Sequence, residues 1–350
     1  MNRQYGKERF DIVNFRPIIG ITMGDPAGIG PEIILSGLSH QSLYKICRPF
    51  VLGDIKWLEI VRKIVINPLP VRPISTPESG TYDGSCINVL NLSSLNPDTT
   101  TWGKTTPETA DATVRYIKAA VTMTLNWDAE AMVTCPINKK ALQLAGIRHP
   151  GHTEWIAEMT NTPDFVMMMA GKRLKVALVT IHTPLKSVPD LISTETIAKT
   201  IRITAEGLMN RFGIRDPRIA VAGLNPHAGE KGRFGKEEEE IIRPAVFREA
   251  RTGIRAEGPF PPDTVFYRAI KGAYDAVVCM YHDQGLIPFK LTHFTDGVNV
   301  TLGIPIIRTS VDHGTAYDIA GTGKGDPKSL MAAIRMAADH VKCLKCTKPI

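Results

Sequence analysis

Short runs of consecutive apolar residues punctuate this chain, and three of them end in the same way. Residues 176–181, 219–224 and 276–280 are almost entirely apolar. A histidine follows each run within three positions: His182, His227 and His282. Runs of this length are too short for a buried helix and are typical of strands covered on both faces. The sequence therefore predicts three buried strands, each of which delivers an imidazole to the loop that follows.

Stretches with helical periodicity lie between the predicted strands. Thr106 precedes a proline and a glutamate, which is a favourable helix start, and that helix is expected to run to about Thr124. A second helix is predicted to begin near Thr194 and to end before Gly213, with an apolar face of Ile197, Ile201, Ala205 and Leu208. Because strands alternate with helices along the chain, the predicted class is α/β with a largely parallel sheet.

The three strand-end histidines carry the first functional hypothesis. In an open α/β sheet, ligands bind in the crevice beyond the carboxyl ends of the strands. Three imidazoles at that edge, with one coordination position left open, match the donor set of catalytic zinc and similar ions. The alternative is that each histidine caps its strand and bonds a nearby carbonyl, since no local motif joins the three.

Two glycine-rich segments indicate further candidate binding sites. Residues 23–32, MGDPAGIGPE, lie between a predicted strand at 17–22 and a helix, where backbone amides attract anions. The dinucleotide and P-loop fingerprints are absent there, and a tight strand-to-helix turn is the alternative. Residues 310–323 form a second polar, turn-rich segment, of a kind that either binds a ligand or lies at the surface.

Two cations, Lys290 and Arg308, lie within apolar runs. Such cations usually need an anionic partner, which a substrate phosphate or carboxylate near the metal would supply. The alternative is an internal salt bridge to Asp296 or Asp312. Residues 151–154, GHTE, are predicted to lie in a loop, and the acidic run at 237–240 is interpreted as the solvated start of a helix.

Composition narrows the class of protein. With 350 residues, of which 43% are hydrophobic, the chain can form a large core and about two domains. The net charge of +7 favours anionic ligands, but the low aromatic content of 7% and the lack of a basic stripe argue against nucleic acid. The polar N-terminus and the lack of a spanning apolar run predict a cytoplasmic protein without a membrane partner. Cysteines in apolar stretches are expected to be buried thiols (Cys47, Cys86, Cys135 and Cys279), and Cys343 and Cys346 to be free thiols.

Eight stretches give the chain a resemblance to the 4-hydroxythreonine-4-phosphate dehydrogenase family, from Pro17 to about Ala338. They are MGDPAGIGPE at 23–32, PINK at 136–139, GHTE at 151–154, GLNPHAGE at 223–230, DTVF at 263–266, MYHDQG at 280–285, GVNVTLG at 297–303 and IRTSVDHGTA at 307–316. GDPAGIGPE and HGTAYDIAG also resemble the wider isocitrate and isopropylmalate dehydrogenase superfamily. PINKKAL and the region after AGLNPHAGEKGRFG look closer to a branch that acts on D-threonate or D-erythronate 4-phosphate.

The resemblance implies an architecture of two α/β/α domains, like isocitrate and isopropylmalate dehydrogenases, with the active site in the cleft between them. Residues 1–130 with 305–350 would form the cofactor-side domain, and residues 131–304 the domain with the metal histidines and the dimer interface. It also implies a homodimer whose active sites use residues of both subunits.

The resemblance also implies roles for individual residues. A single divalent ion (Zn²⁺, Mg²⁺, Co²⁺ or Mn²⁺) would be held by His182, His227 and His282. The substrate would be bound by His152, Thr153, Lys290, Asn299 and Arg308. By analogy with the superfamily, the adenosine end of NAD, or of NADP, would be bound by Gly314, Thr315, Asp318 and Gly321.

The implied reaction is NAD-dependent, metal-dependent oxidation and decarboxylation of a small 4-phosphorylated 3-hydroxy acid. The substrate would be 4-hydroxy-L-threonine 4-phosphate, in pyridoxine biosynthesis, or D-threonate or D-erythronate 4-phosphate, in carbohydrate metabolism. Asp263 and Lys139 are the candidates for the two proton transfers. The alternatives are a dihydrodiol dehydrogenase acting on a cyclic diol acid, a metal-dependent hydrolase with three histidine ligands, and a non-catalytic binder of metal or phosphometabolites.

Overall fold

One mixed sheet runs through the computed structural model, which describes residues 14–149 and 151–347. Its order is β3-β4-β2-β1-β5-β12-β11-β6-β7-β10-β8-β9. In chain order the strands are β1 (Ile18–Thr22), β2 (Arg48–Gly53), β3 (Val71–Ile74), β4 (Ile87–Asn91), β5 (Ala131–Thr134), β6 (Val166–Ala170), β7 (Lys175–Leu178), β8 (Arg218–Ala222), β9 (Arg255–Phe260), β10 (Ala276–Cys279), β11 (Val298–Leu302) and β12 (Arg308–Val311).

The sheet reverses direction near its middle. Strands β3, β4, β2, β1, β5 and β12 are parallel to one another. Strand β11 runs antiparallel to β12 and to β6, and β6 runs antiparallel to β7. Strands β7, β10, β8 and β9 form a second parallel block. The predicted α/β fold with a large, mostly parallel sheet is confirmed, whereas the division into two domains stays a prediction.

The reversal brings the start of β12 level with the end of β7. Extension of the register between β12 and β11 places Arg308 opposite Thr301, and Thr301 of β11 pairs with Met167 of β6. The next residue of β6, Met168, pairs with Ala177 of β7. Arg308 therefore lies at the sheet edge where the strands of the second parallel block end.

The helices that connect and cover the strands are α1 (Gly30–Leu38), α2 (Gln41–Tyr44), α3 (Ile55–Val61), α4 (Pro107–Leu125), α5 (Lys139–Leu144), α6 (His152–Met159), α7 (Val188–Leu191), α8 (Thr194–Asn210), α9 (Arg243–Ala250), α10 (Pro262–Ile270), α11 (His282–Thr292) and α12 (Lys328–Thr347). Short 3-10 turns span Pro77–Ser79, Leu185–Ser187 and Pro226–Glu230, and a π-helical turn spans Glu238–Ile242.

Local sequence accounts for the two predicted long helices. Thr106 caps α4 by accepting a hydrogen bond from the Thr109 amide, and Pro107 is the first helical residue. In α8 the capping residue is Ser193, and all four predicted apolar residues are buried, which confirms the predicted face. The prediction of a loop at residues 151–154 is wrong, because α6 begins at His152 after an extended Gly151.

Apolar side chains of both parallel blocks form the core. Cys47, Cys86, Cys135 and Cys279 are buried, and Cys343 and Cys346 are thiols rather than a disulfide, as predicted. Residues 1–13, which make up most of the polar N-terminus, lie outside the described residues. Within residues 14–149 and 151–347, no helix has the length and apolar content that crossing a membrane requires.

His340 makes the stability of the fold sensitive to acid. The imidazole is buried in α12 and packs edge-on against Phe212 with ring centroids 4.5 Å apart, and its Nε2 has no hydrogen-bond partner among the described residues. Burial lowers the pKa of His340 from 6.5 to about 3, and the nearby cations Arg211 and Lys175 add to the shift. Below pH 6.5 the unfolded chain binds a proton that the folded chain does not, so stability falls as the pH drops from 6.5 towards 3.

His340→Leu is therefore expected to reduce the loss of stability on acidification. Each pH unit in this window costs up to about 1.4 kcal/mol, so the variant should lose about 2 kcal/mol less than the wild type between pH 7 and pH 5. Urea unfolding at the two pH values measures this difference. An unchanged pH dependence in the variant would contradict the account.

Candidate active site

Three adjacent strands deliver the predicted metal histidines to one edge of the sheet. Strand β10 lies between β7 and β8, and all three are parallel. His182 follows β7, His282 begins α11 directly after β10, and His227 lies in the 3-10 turn after β8. The prediction that each histidine follows a buried strand is confirmed, and their role as metal ligands stays a prediction.

His182 and His282 form a pair of neighbouring imidazoles. Their ring centroids are 5.7 Å apart. The Nδ1 atom of His282 is 2.7 Å from Asp283 Oδ1, and Nδ1 of His182 is 3.9 Å from Glu154 Oε1. The His182 side chain is 44% exposed, so the pair faces solvent and is accessible to an ion or a substrate.

His227 does not join this pair within one chain. Its side chain is exposed, and its ring lies 6.1 Å, centroid to centroid, from Phe234. In the described part of the chain, no three side chains of histidine, cysteine, aspartate or glutamate meet in a metal-binding arrangement. A single chain thus brings two of the three predicted ligands together.

The turn that carries His227 has an unusual backbone. His227, Ala228 and Gly229 have φ values of 53°, 51° and 76°, all in the left-handed region that non-glycine residues rarely occupy. For the non-glycine residues His227 and Ala228 this conformation costs about 1–3 kcal/mol each, and surrounding contacts must hold them in place. Glu238 supplies such contacts. It is completely buried, so the interpretation of residues 237–240 as a solvated helix start is wrong at this position.

Arg308 occupies the other end of the site. It is the first residue of β12 and is only 1% exposed. Its two terminal nitrogens contact Thr301 Oγ1 (2.9 Å), Thr134 Oγ1 (2.9 Å), Thr153 Oγ1 (3.1 Å), His152 Nε2 (2.6 Å) and Asn299 Oδ1 (3.4 Å). Three of the four other residues predicted to bind substrate are among these contacts: His152, Thr153 and Asn299.

The charge of Arg308 is not neutralised by the described residues. All its acceptors are neutral, no carboxylate forms an ion pair with it, and its Nε has no hydrogen-bond partner. Burial lowers the pKa of Arg308 to about 9, and the charge of Glu154 offsets part of this shift. Burial and the adjacent guanidinium also lower the pKa of His152, whose Nε2 accepts from Arg308 and is therefore unprotonated. This arrangement favours an anionic ligand at Arg308.

The first turn of α6 connects the two ends of the site. His152 and Thr153 contact Arg308, and the next residue, Glu154, lies beside His182. Burial raises the pKa of the Glu154 carboxyl, but its interaction with His182, a hydrogen bond from the backbone and the charge of Arg308 together bring the pKa below its ordinary value. Glu154 is therefore an anion between the imidazole pair and Arg308.

Lys290 is paired within the chain, unlike Arg308. Its Nζ lies 2.7 Å from Asp312 Oδ2 and 2.7 Å from the Asp312 carbonyl oxygen. Burial raises the pKa of Asp312, and Lys290 offsets part of the shift. The alternative of an internal salt bridge to Asp312 is thus confirmed for Lys290, whereas Asp296 pairs with His293. A substrate anion would have to share Lys290 with Asp312.

The two glycine-rich segments pack against each other. The Ile29 amide donates to the Thr315 carbonyl (3.0 Å), and the Gly321 amide donates to Glu32 Oε1 (2.6 Å). A Cβ atom on Gly28 would lie 3.0 Å from Thr315 Cβ, so glycine permits this close approach. Residues 23–35 are buried throughout, which favours a tight structural turn over an open anion site for the first segment.

Asp25 joins the same two segments. Its buried carboxylate accepts hydrogen bonds from the hydroxyls of Tyr317 and Thr105. Burial raises the pKa of Asp25, and it also raises the pKa of Tyr317 to about 12. In the second segment, Gly314 and Asp318 are exposed, and Thr315 and Gly321 are half-buried. Their contact with a nucleotide stays a prediction.

The two candidates for proton transfer are exposed. Asp263 lies in the first turn of α10, and Lys139 is the first residue of α5. Their roles in proton transfer stay predictions.

Four residues of this site are not evident from the sequence patterns. Thr134 and Thr301 bind Arg308, Glu154 joins the two ends, and Glu238 holds the His227 turn. Threonine in a strand is ordinary, so only tertiary pairing distinguishes the first two. For Glu154, the sequence does hold a signal of a role in the site, because this residue directly follows His152 and Thr153.

The family model of the pyridoxal phosphate biosynthetic protein PdxA matches residues 45–337. The chain belongs to the PdxA family. This confirms the resemblance found in the sequence motifs, seven of which lie within the matched residues.

PdxA-family relatives match nearly the full length of the chain. The 4-hydroxythreonine-4-phosphate dehydrogenase of Desulfosudis oleivorans is 56% identical over 334 residues, which cover 95% of this chain and 98% of the relative. The D-threonate 4-phosphate dehydrogenase of Cupriavidus necator is 46% identical over 327 residues, with 93% and 98% covered. The crystal structure of 4-hydroxythreonine-4-phosphate dehydrogenase from Klebsiella pneumoniae has a TM-score of 0.86 and 42% identity, covering 94% of this chain and 98% of that one.

Membership of the PdxA family decides the type of enzyme. The relatives are named as dehydrogenases, so this chain is an oxidoreductase that acts on a CH–OH group. The alternatives of a hydrolase and of a non-catalytic binder are thereby set aside.

Proposed function

We propose that this PdxA-family dehydrogenase oxidises and then decarboxylates a 4-phosphorylated 3-hydroxy acid, with NAD or NADP as the hydride acceptor and one divalent ion as cofactor. Arg308 carries the proposal, because a buried guanidinium with only neutral partners attracts a phosphate or carboxylate strongly. It lies at the same sheet edge as the imidazole pair, with Glu154 between them. A substrate could thus bind Arg308 through its anionic group and place its hydroxyl at the histidines.

The donor chemistry suits a divalent ion. We assign His182 and His282 of one subunit, together with His227 of the partner subunit, as its ligands. Imidazole donors favour zinc or cobalt over magnesium, which prefers oxygen. When bound, the ion polarises the substrate hydroxyl as a Lewis acid. The carboxylates of Asp283 and Glu154, close to Nδ1 of His282 and of His182, orient the two rings.

The protein's own residues would carry the remaining steps. Arg308, His152, Thr153 and Asn299 hold the anionic group. Asp263 would accept the proton of the C3 hydroxyl, and NAD, when bound, would supply the hydride acceptor. The bond between the carboxylate carbon and C2 then breaks, CO₂ departs, and Lys139 returns a proton to C2. Gly314, Thr315, Asp318 and Gly321 would bind the nucleotide, next to the buried turn at residues 23–32.

An exposed apolar stripe supports a homodimer with shared sites. Ile287, Leu291 and Phe294 are 60%, 86% and 78% exposed and follow one another along one face of α11 and its end. Such a row is costly in water, and it lies on the helix that begins with His282 and carries Lys290. A partner subunit docked on the stripe would therefore lie beside the metal site and could supply His227.

Charge introduced into this stripe should separate the subunits. Leu291→Asp is expected to convert the dimer to monomer and to abolish dehydrogenase activity, because an isolated chain lacks the third histidine. Light scattering coupled to gel filtration measures the change. Ile66→Asp is the matched control, since Ile66 is 83% exposed outside the stripe. A dimer that persists in the Leu291 variant would contradict this interface.

The proposed activity is tested by NADH formation. Metal-supplemented protein and NAD⁺ are incubated in parallel with 4-hydroxy-L-threonine 4-phosphate and with D-threonate 4-phosphate. Turnover of either compound supports the proposal, and the preferred compound places the enzyme in pyridoxine synthesis or in sugar-acid catabolism. Equal turnover of unphosphorylated threonate, or of a cyclic diol acid, would contradict the role of Arg308 and favour the dihydrodiol alternative.

A further inference from the structure

The His227 turn is held by a carboxylate buried beneath it. Glu238 Oε1 accepts a hydrogen bond from the Asn225 amide (2.7 Å), and Oε2 accepts one from Asn225 Nδ2 (3.0 Å). The same carboxylate lies against Gly229, where a Cβ atom would be 2.5 Å from Oε2. Glu238 thus contacts the residues on both sides of His227, two positions before it and two positions after it.

Glu238 differs from the other buried glutamate of this region. Glu249, equally inaccessible in α9, forms a two-pronged ion pair with Arg202. Glu238 has no ion pair with a cation among the described residues, and its hydrogen bonds serve the turn instead. Burying an unpaired carboxylate is costly, so its presence indicates a function that an apolar residue could not perform.

A second polar side chain ties this turn to the turn of His282. Gln284 Oε1 accepts from the Met280 amide (2.7 Å), and its Nε2 donates to the Gly223 carbonyl (2.7 Å). Gly223 itself lies against Glu238, with 3.1 Å between a Cβ placed on it and Oε1. Buried hydrogen bonds of Glu238 and of Gln284 therefore set the position of the His227 turn relative to β10.

We infer that Glu238 is a positioning residue that presents His227 for metal ligation. This inference rests on the proposed metal site. The left-handed run at residues 227–229 sets the position of the imidazole, and the contacts of Glu238 with Asn225 and Gly229 hold that run from both sides. An amide at position 238 would not substitute fully. Glutamine would replace one of the two accepting carboxylate oxygens by an NH₂ group, which donates. That group would face a donor of Asn225, whose Nδ2 also donates to Glu237 Oε2 (2.8 Å).

The test compares cobalt binding to wild type, Glu238→Gln and Glu249→Gln, each as the full-length assembly. The affinity for Co²⁺ and the visible d–d absorption of the bound ion depend directly on the number and geometry of its ligands, and neither measurement requires turnover. Loss of a residue that orients a metal ligand typically weakens affinity roughly 10–100-fold, and this is expected for Glu238→Gln. Glu249→Gln should lower the thermal midpoint while leaving the cobalt affinity and spectrum unchanged.

The outcomes separate this inference from the proposed function. Wild-type affinity and spectrum in Glu238→Gln, beside tight binding by wild type, would overturn the inference alone. Failure of the wild type to bind cobalt would overturn the metal site and the inference with it. A parallel loss of affinity in Glu249→Gln would show that general destabilisation is the cause, and would also overturn it.

Discussion

Arg308→Met is expected to lower kcat/KM for the phosphorylated substrate by about 10²–10³-fold, which corresponds to about 3–4 kcal/mol. A charge-assisted contact to a desolvated anion has this magnitude, because both partners leave water on binding. The fold should survive, since methionine fills a similar volume and replaces a buried charge by an apolar group. Steady-state kinetics measure the loss, and the thermal midpoint checks the fold.

Two companion variants make the Arg308 result specific. Arg308→Lys keeps the charge but loses the fork that reaches Thr134 and Thr301 together, so it should recover only part of the activity. Arg202→Met removes an arginine that is paired with the buried Glu249, outside the site, and should leave kcat/KM near the wild-type value. If Arg308→Met retained full activity on the phosphorylated substrate, Arg308 could not be the anion-binding residue.

His227→Ala is expected to inactivate the enzyme and to be rescued by a second inactive variant. If His227 serves the partner's site, a mixed dimer of His227→Ala and Arg308→Met contains one site with every residue intact. Random mixing makes half of the dimers mixed, and each has one working site of two, so about a quarter of the wild-type activity should return.

The rescue is measured by dissociating, mixing and reassociating the two purified variants, or by co-expression with different affinity tags. His282→Ala mixed with Arg308→Met is the matched control. Both of those residues are contributed to a site by the same subunit, so each site of a mixed dimer lacks one of them and no activity should return. A mixture of His282→Ala and His227→Ala tests whether one subunit or two supply the ligands of a site. Rescue occurs only if the two subunits of the dimer each supply one of these two histidines to the same site. No rescue in that mixture would place all three ligands within one chain.

Local patterns in the sequence predicted the strands and their histidines well. Continuous apolar runs such as 276–280 have few alternatives to a buried strand, and β10 follows that run closely. Capping residues likewise marked the starts of α4 and α8. The motifs at 151–154 and 307–316 placed His152, Thr153 and Arg308 in one site through family resemblance, and these three side chains are in contact.

Features that depend on long-range pairing could not be predicted. No local pattern shows that Lys290 is neutralised by Asp312 while Arg308 is not, because both lie in similar apolar runs. The burial of Glu238 was missed for a related reason. Its neighbours Glu237, Glu239 and Glu240 make the segment read as a charged helix start, and only the fold of the preceding turn draws one carboxylate inside.

Strand β12 occupies the sixth of twelve positions in the sheet, although it is the last strand along the chain. During synthesis on the ribosome, the edges of β5 and β11 that face β12 therefore stay unpaired until residues 308–347 emerge. All the other strands have been synthesised by then and can pair. Exposed edges of this kind invite pairing with other chains. A nascent chain that stops before Arg308 would thus release two half-sheets with open edges, and should be recovered as insoluble protein rather than as a shortened, folded enzyme.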